Sequence, residues 1–262
     1  MKFYGDYHTH SRYSDGRQSV QDIVNAAVDK GLREVAITDH GPLAAVIGVK
    51  SADDYSRIRQ EIEALPDQQS DITILLGAEA NIRDLDGTLD IDADLIEELD
   101  ILIAGLHPYT LPTTVKDGWN IMVQNSLRHL GRSFRDKAVT ANTKAVVEVI
   151  YQNPELDILS HPGLFFKVDV EEVARACARN DVLFEINCGH KHPQISDIIE
   201  AERVGVDFII NSDSHFTATV GNLDYGSWVV DRLGIDEGTI ANNRSGGGFK
   251  KWSKKAKYYA YS

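Results

Sequence analysis

The sequence Phe3-Tyr4-Gly5-Asp6-Tyr7-His8-Thr9-His10 opens the chain with a strand-like run that ends in two histidines. A similar apolar run near the other end of the chain, residues 208–211, is followed by Asp213 and His215. Four further apolar runs each end in one polar group, namely His40, Glu79, His107 and His161. The carboxyl ends of parallel strands meet at one face of a barrel, so this pattern predicts one functional site assembled from many strands.

The chain alternates strand-like and helix-like segments seven times along most of its length. Seven β/α units in one domain predict either a parallel barrel or a doubly wound sheet. A barrel gathers functional groups from several strand ends, whereas an open sheet concentrates them at a single switch point. Because six of the seven predicted strands end in a candidate ligand, we predict an α/β barrel in a single domain, with the site at the C-terminal ends of the strands.

The candidate ligands are imidazoles and carboxylates, and any one of them alone is weak support for a metal site. A single histidine at a strand end is more commonly a structural residue that forms a hydrogen bond. Burial of so many such groups at one place is costly unless a cation compensates them. Nitrogen and carboxylate ligands without thiolates suit Zn²⁺, Mn²⁺ or Fe²⁺. At roughly three protein ligands per catalytic ion, the candidates suffice for about three divalent ions.

The composition bears on the location and the partners of the protein. No apolar run reaches the roughly 18 residues of a membrane span, and the chain starts in a strand pattern without a signal-peptide core. Cys177 and Cys188 form no disulfide framework, which together with the missing span predicts a cytoplasmic protein without a membrane partner. The net charge of −13 repels polyanions, so a long nucleic acid is disfavoured as a partner. The oligomeric state is not defined by the sequence.

The C-terminal segment, residues 241–262, is basic and aromatic and follows a barrel domain predicted over residues 1–240. From Arg244 onwards it has six Lys or Arg residues and no acid. We favour packing of its aromatic rings onto the acidic body, with contact to nucleic acid or to an acidic partner as the alternative.

Residues 108–139 form a long inserted βα loop ahead of a helix predicted to start near Thr140. The loop includes an amphipathic helical pattern and four cations, Arg128, Arg132, Arg135 and Lys137. Long loops on the catalytic face of a barrel commonly set specificity. We hypothesise that this loop is a lid over the site, with one cation that contacts an anionic substrate. A solvated helix with ordinary charges is the alternative.

Three short features near the strand ends carry structural expectations. Asp6 shares the side-chain parity of His8 and His10, so it either orients a ligand imidazole or is a buried structural residue. Asp39 has the opposite parity to His40, which predicts that it caps the loop that follows. His161 precedes a proline, which predicts an extended backbone.

An ordered set of motifs runs from about Tyr4 to about Leu233. The motifs are His8-Thr-His10-Ser-Arg-Tyr-Ser-Asp15-Gly, Thr38-Asp-His40, Gly77-Ala-Glu79, His107-Pro, Asn153-Pro-Glu-Leu-Asp-Ile-Leu-Ser-His161-Pro-Gly, Glu185-Ile-Asn and Ser212-Asp213-Ser-His215. In this order they strongly resemble the PHP family, named for polymerase and histidinol phosphatase. The resemblance implies a distorted (β/α)7 TIM-like barrel with a trinuclear metal centre that hydrolyses phosphoesters.

The resemblance also implies how the ligands are shared among the metals. It places His8, His10, Glu79 and Asp213 at one metal. It places Glu79, His107 and His161 at a second metal. Asp15, His40 and His215 would hold the third. Members of the family vary at the position of Asp15, where some carry His.

The chemistry of such a centre predicts a phosphoesterase. Glu79 can bridge two cations, and paired ions can activate a water and neutralise the oxygens of an in-line phosphoryl displacement. A metal-activated hydroxide is then the nucleophile, and the expected substrate is a small phosphomonoester, histidinol phosphate or a nucleotide. The candidate catalytic residues are Glu79, Asp213 and His190. His190 follows the sixth strand, where it binds phosphate, donates a proton to the leaving group or is simply an exposed loop residue.

Two other functions fit parts of the same pattern. Amidohydrolase-like enzymes place similar ligands at similar barrel ends, but a carboxylated lysine would favour that class, and no predicted strand ends in Lys. Noncatalytic PHP modules also exist, such as those attached to bacterial DNA polymerases. They usually have a fused partner domain and eroded ligands, and this sequence shows neither.

Overall fold

Seven parallel strands form one sheet in which each strand pairs with the next along the chain. This computed structural model describes residues 1–66 and 72–254. The strands are β1 Gly5–Asp6, β2 Glu34–Ile37, β3 Thr73–Asn81, β4 Ile101–Gly105, β5 Ile158–Leu159, β6 Leu183–Asn187 and β7 Phe208–Asn211. This order with intervening helices confirms the predicted (β/α)7 TIM-like barrel in a single domain.

Helices follow the strands and cover the outside of the sheet. They are α1 Val20–Asp29, α2 Asp53–Glu63, α3 Ala93–Glu98, α4 Val115–Asp117, α5 Gln124–Leu127, α6 Arg132–Gln152, α7 Val170–Arg179, α8 Ile195–Arg203, α9 Asp224–Leu233 and α10 Phe249–Trp252. Ser19 starts α1 with a capping box that it forms with Asp22, which satisfies free N–H groups of the first turn. Among the described residues, no helix has the length and apolarity that crossing a bilayer requires.

The first and last strands approach each other without a regular ladder, so the barrel is nearly closed. At the C-terminal end of the strands, Thr9 and Ser214 form a parallel bridge. At the other end, the side chain of Asn242 accepts from Ile210 N at 3.1 Å and donates to Gly5 O at 3.0 Å. A side-chain amide therefore takes the place of a missing strand residue and satisfies buried backbone groups of β1 and β7.

The strands carry apolar side chains on both faces, because a parallel sheet covered by helices is buried on both sides. The outer faces pack against the helices in one large core. The inner faces form a smaller cluster inside the barrel, made of Tyr7, Ala36, Leu75, Ile101, Ile103, Ile158, Leu183, Ile209 and Phe249. In β3, Glu79 has the same parity as Leu75, so the inward face changes from apolar to charged along a single strand.

The C-terminal segment closes the bottom of the barrel. Phe249 and Trp252 pack edge to face at 5.0 Å between ring centroids, and Trp252 lies 4.9 Å from the ring of Tyr7. The buried carboxylate of Glu34 accepts from Tyr7 Oη at 2.5 Å and from Phe249 N at 2.6 Å. The division at residue 240 stays a prediction, and the segment after it contacts the barrel as far as Lys254. The ring of Trp252 packs onto the body, as the favoured alternative expects. Residues 255–262 lie outside the described range.

The inserted loop differs in outline from the prediction. Helix α6 begins at Arg132 rather than near Thr140. The polar stretch 132–140 is helical and continues without a break to Gln152. Before it, α4 runs through a π-helical segment, Gly118–Val123, into α5. Arg132, Arg135 and Lys137 therefore lie on the first turns of a barrel helix.

The packing under the barrel predicts that Phe249→Ala lowers the free energy of unfolding by about 3 to 5 kcal/mol, because it leaves a cavity beneath the strands. Urea denaturation at a fixed metal content measures the change. Phe134→Ala is the matched control, since Phe134 is 41% exposed and its loss should cost less than about 1 kcal/mol. Equal effects of the two substitutions would contradict a structural role for the C-terminal segment.

Candidate metal centre

The candidate ligands come together at the C-terminal ends of the strands, as the sequence pattern predicted. Glu79 lies near the end of β3, and the others follow β1, β2, β4, β5 and β7. Most of them are buried: His8, His10, His40, Glu79, His107, His161 and Asp213. Asp15 and His215 are partly exposed, at 27% and 25% of their side-chain surface. The cluster thus has a buried base and two ligands that face the opening.

Glu79 is at the centre of the cluster and presents its two oxygens to two sets of histidines. Its Oε1 lies 3.3 Å from His107 Nε2 and 3.0 Å from His161 Nε2. Its Oε2 lies 3.2 Å from His8 Nε2 and 3.0 Å from His40 Nδ1. One carboxylate oxygen per set is the arrangement that a bridging carboxylate needs when it links two cations.

Asp213 forms a second centre of contacts next to Glu79. Its Oδ1 lies 3.2 Å from His10 Nε2 and 3.6 Å from His8 Nε2. Its Oδ2 lies 3.4 Å from His190 Nε2. Asp213 therefore joins the two histidines of the first strand to a histidine of the β6 loop.

The third set of ligands lies toward the opening. Asp15 Oδ1 is 3.2 Å from His215 Nε2 and 3.9 Å from His40 Nε2. The ring of His10 stacks between those of His40 and His215, with centroids 4.5 and 4.4 Å away. Since His40 also reaches Glu79 through its other nitrogen, it connects this outer set to the central carboxylate.

The residues present fit divalent cations. Within the described part of the chain, six buried atoms of this cluster have no hydrogen-bond partner: Nε2 of His8, Nδ1 and Nε2 of His10, Nδ1 of His40, Oδ1 of Asp15 and Oε2 of Glu79. Unpaired polar atoms are rare in protein interiors because each is costly. Three overlapping groups bring ligand atoms within 4.8 Å of one another: His8, His10 and Glu79; His40, Glu79 and His107; and His10, Asp15, His40 and His215.

The direction of the pKa shift differs among the candidate ligands. Burial alone would raise the pKa of Glu79, but the surrounding imidazoles outweigh it and hold this pKa well below its usual value. Burial lowers the pKa of His10 to about 3 and that of His107 to about 4, with further lowering by neighbouring histidines. At four other histidines the neighbouring carboxylates outweigh burial and raise the pKa, namely at His8, His40, His161 and His215. Side chains bind metals as ionised carboxylates and neutral imidazoles, so metal binding would release protons from these four histidines.

Glu185 is a supporting residue that reasoning from strand ends missed. Its Oε1 lies 2.7 Å from His8 Nδ1, and its Oε2 accepts from His161 N at 2.8 Å. Asn81 supports His107 in the same way, with Oδ1 2.8 Å from the Nδ1 atom. The signal was available, because Glu185 is an acid in the middle of the apolar run of β6 and has the inward parity of Leu183.

Two cluster residues have positive φ angles, which few residues other than glycine adopt. These are His161, with φ of 26°, and Asp213, with φ of 52°. The extended backbone predicted for His161 from the following proline is therefore wrong. The hydrogen bond from its N–H to Glu185 accompanies this conformation, which costs roughly 1–3 kcal/mol. At both residues, the position of the side chain in the cluster is kept at the expense of a favourable backbone conformation.

The acids near the strand ends have structural roles. Asp6 accepts from Ser212 N at 3.0 Å, from Ser212 Oγ at 2.5 Å and from Gly221 N at 2.9 Å. It thus joins β1 to the β7 loop instead of orienting an imidazole, because β1 ends at Asp6 and the strand parity does not extend to His8. Asp39 accepts from Ser11 and Ser14, so it fixes the loop after β1 and not the loop that follows it.

His190 and His192 differ in position although both follow β6. His190 is partly exposed, beside Asp213, and its ring lies 6.1 Å from that of Phe165. His192 is buried and its Nε2 lies 2.8 Å from Pro162 O, which gives it a structural role. His190 is therefore the histidine of this loop that can contact a substrate.

A cavity of about 480 Å³ opens above the cluster. It is lined by the cluster residues Asp15, His40, Glu79, His107, His161, His190, Asp213 and His215, by the apolar side chains Ile47, Tyr109, Phe165 and Phe216, and by Gly189, Ser212 and Thr219. No Lys or Arg of residues 1–66 and 72–254 is among these residues, so the four cations of the inserted loop do not line it. Tyr109 is the residue of that loop that does.

A family model for the PHP domain matches residues 6–232. The chain belongs to the PHP family. A relative in Clostridium novyi named a probable phosphatase is 29% identical over 254 residues, which cover 92% of this chain and 91% of that protein. The DNA polymerase/3'-5' exonuclease PolX of Bacillus subtilis is 26% identical over 250 residues, which cover 92% of this chain and 39% of that protein.

Among solved structures, the histidinol phosphate phosphatase of Lactococcus lactis has the same fold as this PHP chain. The two superpose with a TM-score of 0.60 at 18% identity, over 90% of this chain and 95% of the other. That structure is a complex with zinc, L-histidinol and phosphate. At this identity the likeness establishes the fold, and it agrees with the barrel predicted from the motifs.

We predict that Glu185→Gln weakens metal binding by the PHP chain by about 10 to 100-fold, because it removes the charge that orients His8. Competition with a chelating indicator measures the dissociation constants. Glu63→Gln is the control, because Glu63 is exposed at the end of α2. Unchanged affinity in Glu185→Gln would show that this carboxylate does not support the ligands.

Proposed function

We propose that this PHP protein is a metal-dependent phosphoesterase that hydrolyses a small phosphorylated substrate at a centre of about three divalent ions. The observation that carries the proposal is the position of Glu79, whose two oxygens each face a separate set of imidazoles at the base of a cavity. The predicted enzyme class, a hydrolase of phosphoric esters, is confirmed at the level of class by the family and by relatives named probable phosphatases. The substrate within that class is our proposal.

The ligand atoms that converge support three binding positions. We assign His8, His10, Glu79 and Asp213 to one, and Glu79, His107 and His161 to a second. We assign Asp15, His40 and His215 to the third, the most exposed. Divalent Zn, Mn or Fe bound there would supply Lewis-acid stabilisation of the phosphoryl oxygens and a water of lowered pKa.

The cluster residues and the surrounding charge favour a compact anion. Phosphate in the cavity would contact His190, the one cluster histidine with a side chain 44% exposed. Burial lowers the pKa of His190, and Asp213 offsets part of this effect. A phosphate dianion beside the ring would act in the same direction as Asp213 and raise the pKa of His190. We assign His190 to proton donation to the leaving oxygen, and Asp213 to holding His190 and His10 in place.

The alternative functions have less support. An amidohydrolase-like centre built on a carboxylated lysine has no candidate, because no Lys of the described residues lines the cavity. A noncatalytic module would not need a complete set of buried ligands. A nuclease function, as in the name of the relative PolX, is disfavoured because the net charge of −13 on this chain repels a long polyanion.

The test of the proposal is phosphate release by protein loaded with Mn²⁺, measured beside its His161→Ala variant. The panel contains sugar phosphates, histidinol phosphate, nucleoside monophosphates, bisphosphates and short oligonucleotides. We expect turnover of a small monoester that falls by at least about 1000-fold in the variant, since the variant loses a ligand of the catalytic centre. Release from none of the esters while the metals are bound would overturn the proposal.

For His190, we predict that His190→Ala lowers kcat by about 100 to 10,000-fold with alkyl phosphates and by less than about tenfold with 4-nitrophenyl phosphate. The reason is that a poor leaving group needs a proton, whereas nitrophenolate does not. Steady-state kinetics with both esters measures the difference. His129→Ala is the control, since His129 is exposed on the inserted loop. Equal losses with the two esters would instead assign His190 to phosphate binding.

A further inference from the structure

The cavity above the metal ligands has a rim of four apolar side chains, each from a different βα loop. We call Ile47, Tyr109, Phe165 and Phe216 the apolar rim. They follow β2, β4, β5 and β7 respectively. Tyr109 and Phe216 are 55% and 51% exposed. Large apolar groups gathered in the open around a polar site commonly mark a ligand-binding surface.

Phe165 brings the rim into contact with the metal ligands. Its ring centroid lies 5.6 Å from that of His107 and 5.5 Å from that of His161. It also lies 6.1 Å from His190. Apolar surface therefore begins immediately beside the position assigned to the phosphate. A substrate that uses this surface must carry its apolar part within a few bonds of the ester oxygen.

Phe165 packs on ligand rings, whereas other parts of the rim are held by contacts between and within the loops. Ala45 N donates to Tyr109 O at 2.9 Å, which pairs the loops that carry Ile47 and Tyr109. The guanidinium of Arg17 lies 5.5 Å from the ring centre of Phe216, a cation–π distance that fixes the ring. The backbone that carries Tyr109 and the ring of Phe216 are therefore positioned before a ligand arrives, which reduces the entropy lost on binding.

Charge at the cavity separates the possible substrates further. The lining side chains of the described chain include no Lys or Arg. Arg17 lies outside this lining, with its guanidinium 5.5 Å from the ring centre of Phe216, so the lining side chains themselves offer no basic group to a second phosphate. Desolvating an unpaired anion is costly, so the rim suits a leaving group without a second anionic charge.

We propose that the apolar rim makes this protein selective for phosphomonoesters of small, uncharged alcohols that carry a flat ring next to the ester group, such as a benzylic alcohol. The inference rests on the proposed phosphoesterase function and adds the class of leaving group. Phe165 is the residue on which the ring would pack first, with Tyr109 and Phe216 on the outer side.

The test compares benzyl phosphate with cyclohexylmethyl phosphate, whose alcohol has similar size but a puckered ring. We expect kcat/KM to favour benzyl phosphate by about tenfold, the effect of one to two aromatic contacts. Phe165→Leu should reduce this ratio to about twofold or less, because it keeps apolar surface but removes the ring. Phe134→Ala, which changes an exposed phenylalanine elsewhere, should leave the ratio unchanged. The bisphosphate of 1,4-benzenedimethanol should be at least about tenfold poorer than benzyl phosphate.

Binding of the non-hydrolysable benzylphosphonate and cyclohexylmethylphosphonate, measured by calorimetry, separates the two proposals. Hydrolysis of both esters at equal kcat/KM would overturn the rim proposal and leave the phosphoesterase intact. A preference for benzylphosphonate that Phe165→Leu removes, with no ester hydrolysed, would support the rim and overturn the phosphoesterase. Equal binding of both phosphonates would overturn the rim proposal even without turnover.

Discussion

A carboxylate buried among imidazoles is the constraint on which the rest of this structure depends. Glu79 has no exposed surface, and burying an ionised carboxylate is costly unless positive charge and hydrogen bonds compensate it. Ser160 Oγ donates to its Oε1 at 2.7 Å, while its Oε2 has no hydrogen-bond partner among the described residues. The imidazoles that the strand ends bring to this point supply the missing compensation, and they hold the pKa of Glu79 well below its usual value.

The barrel provides the low-polarity surroundings in which such a site is effective. Below Glu79 the inward face is largely apolar, from Leu75 down to the rings of Phe249 and Trp252. The buried Glu34 at this end is hydrogen-bonded to Tyr7 and Phe249. Charges interact more strongly where water is excluded. The C-terminal segment therefore contributes to the site without touching it, because it seals the end of the barrel that the strands leave open. Asn242 extends the same seal between the first and last strands.

Much of the architecture could be predicted from the sequence, because the side-chain pattern of parallel strands is regular. The positions of His40, Glu79, His107 and His161 at strand ends were sufficient to indicate a barrel with one site. The failures lie where regular structure stops. β1 ends at Asp6, so parity could not decide between the two roles left open for Asp6. The left-handed φ of His161 accompanies a hydrogen bond to Glu185, which is distant in sequence. The start of α6 was missed because polar residues on its first turns concealed the helical period.

The two kinds of residue around the cavity are held in different ways. The ligands are fixed by strands and by buried partners such as Glu185 and Asn81, so a change in any one of them disturbs several others. The rim is fixed by pairing between loops and by local turns, such as the bond from Ser214 Oγ to Phe216 O at 2.9 Å. A loop can therefore change its apolar side chain without disturbing the strands, although Phe165 itself packs against His107 and His161. Membership of the PHP family thus bears on the chemistry of the centre, while the choice of leaving group depends on the loops of this chain.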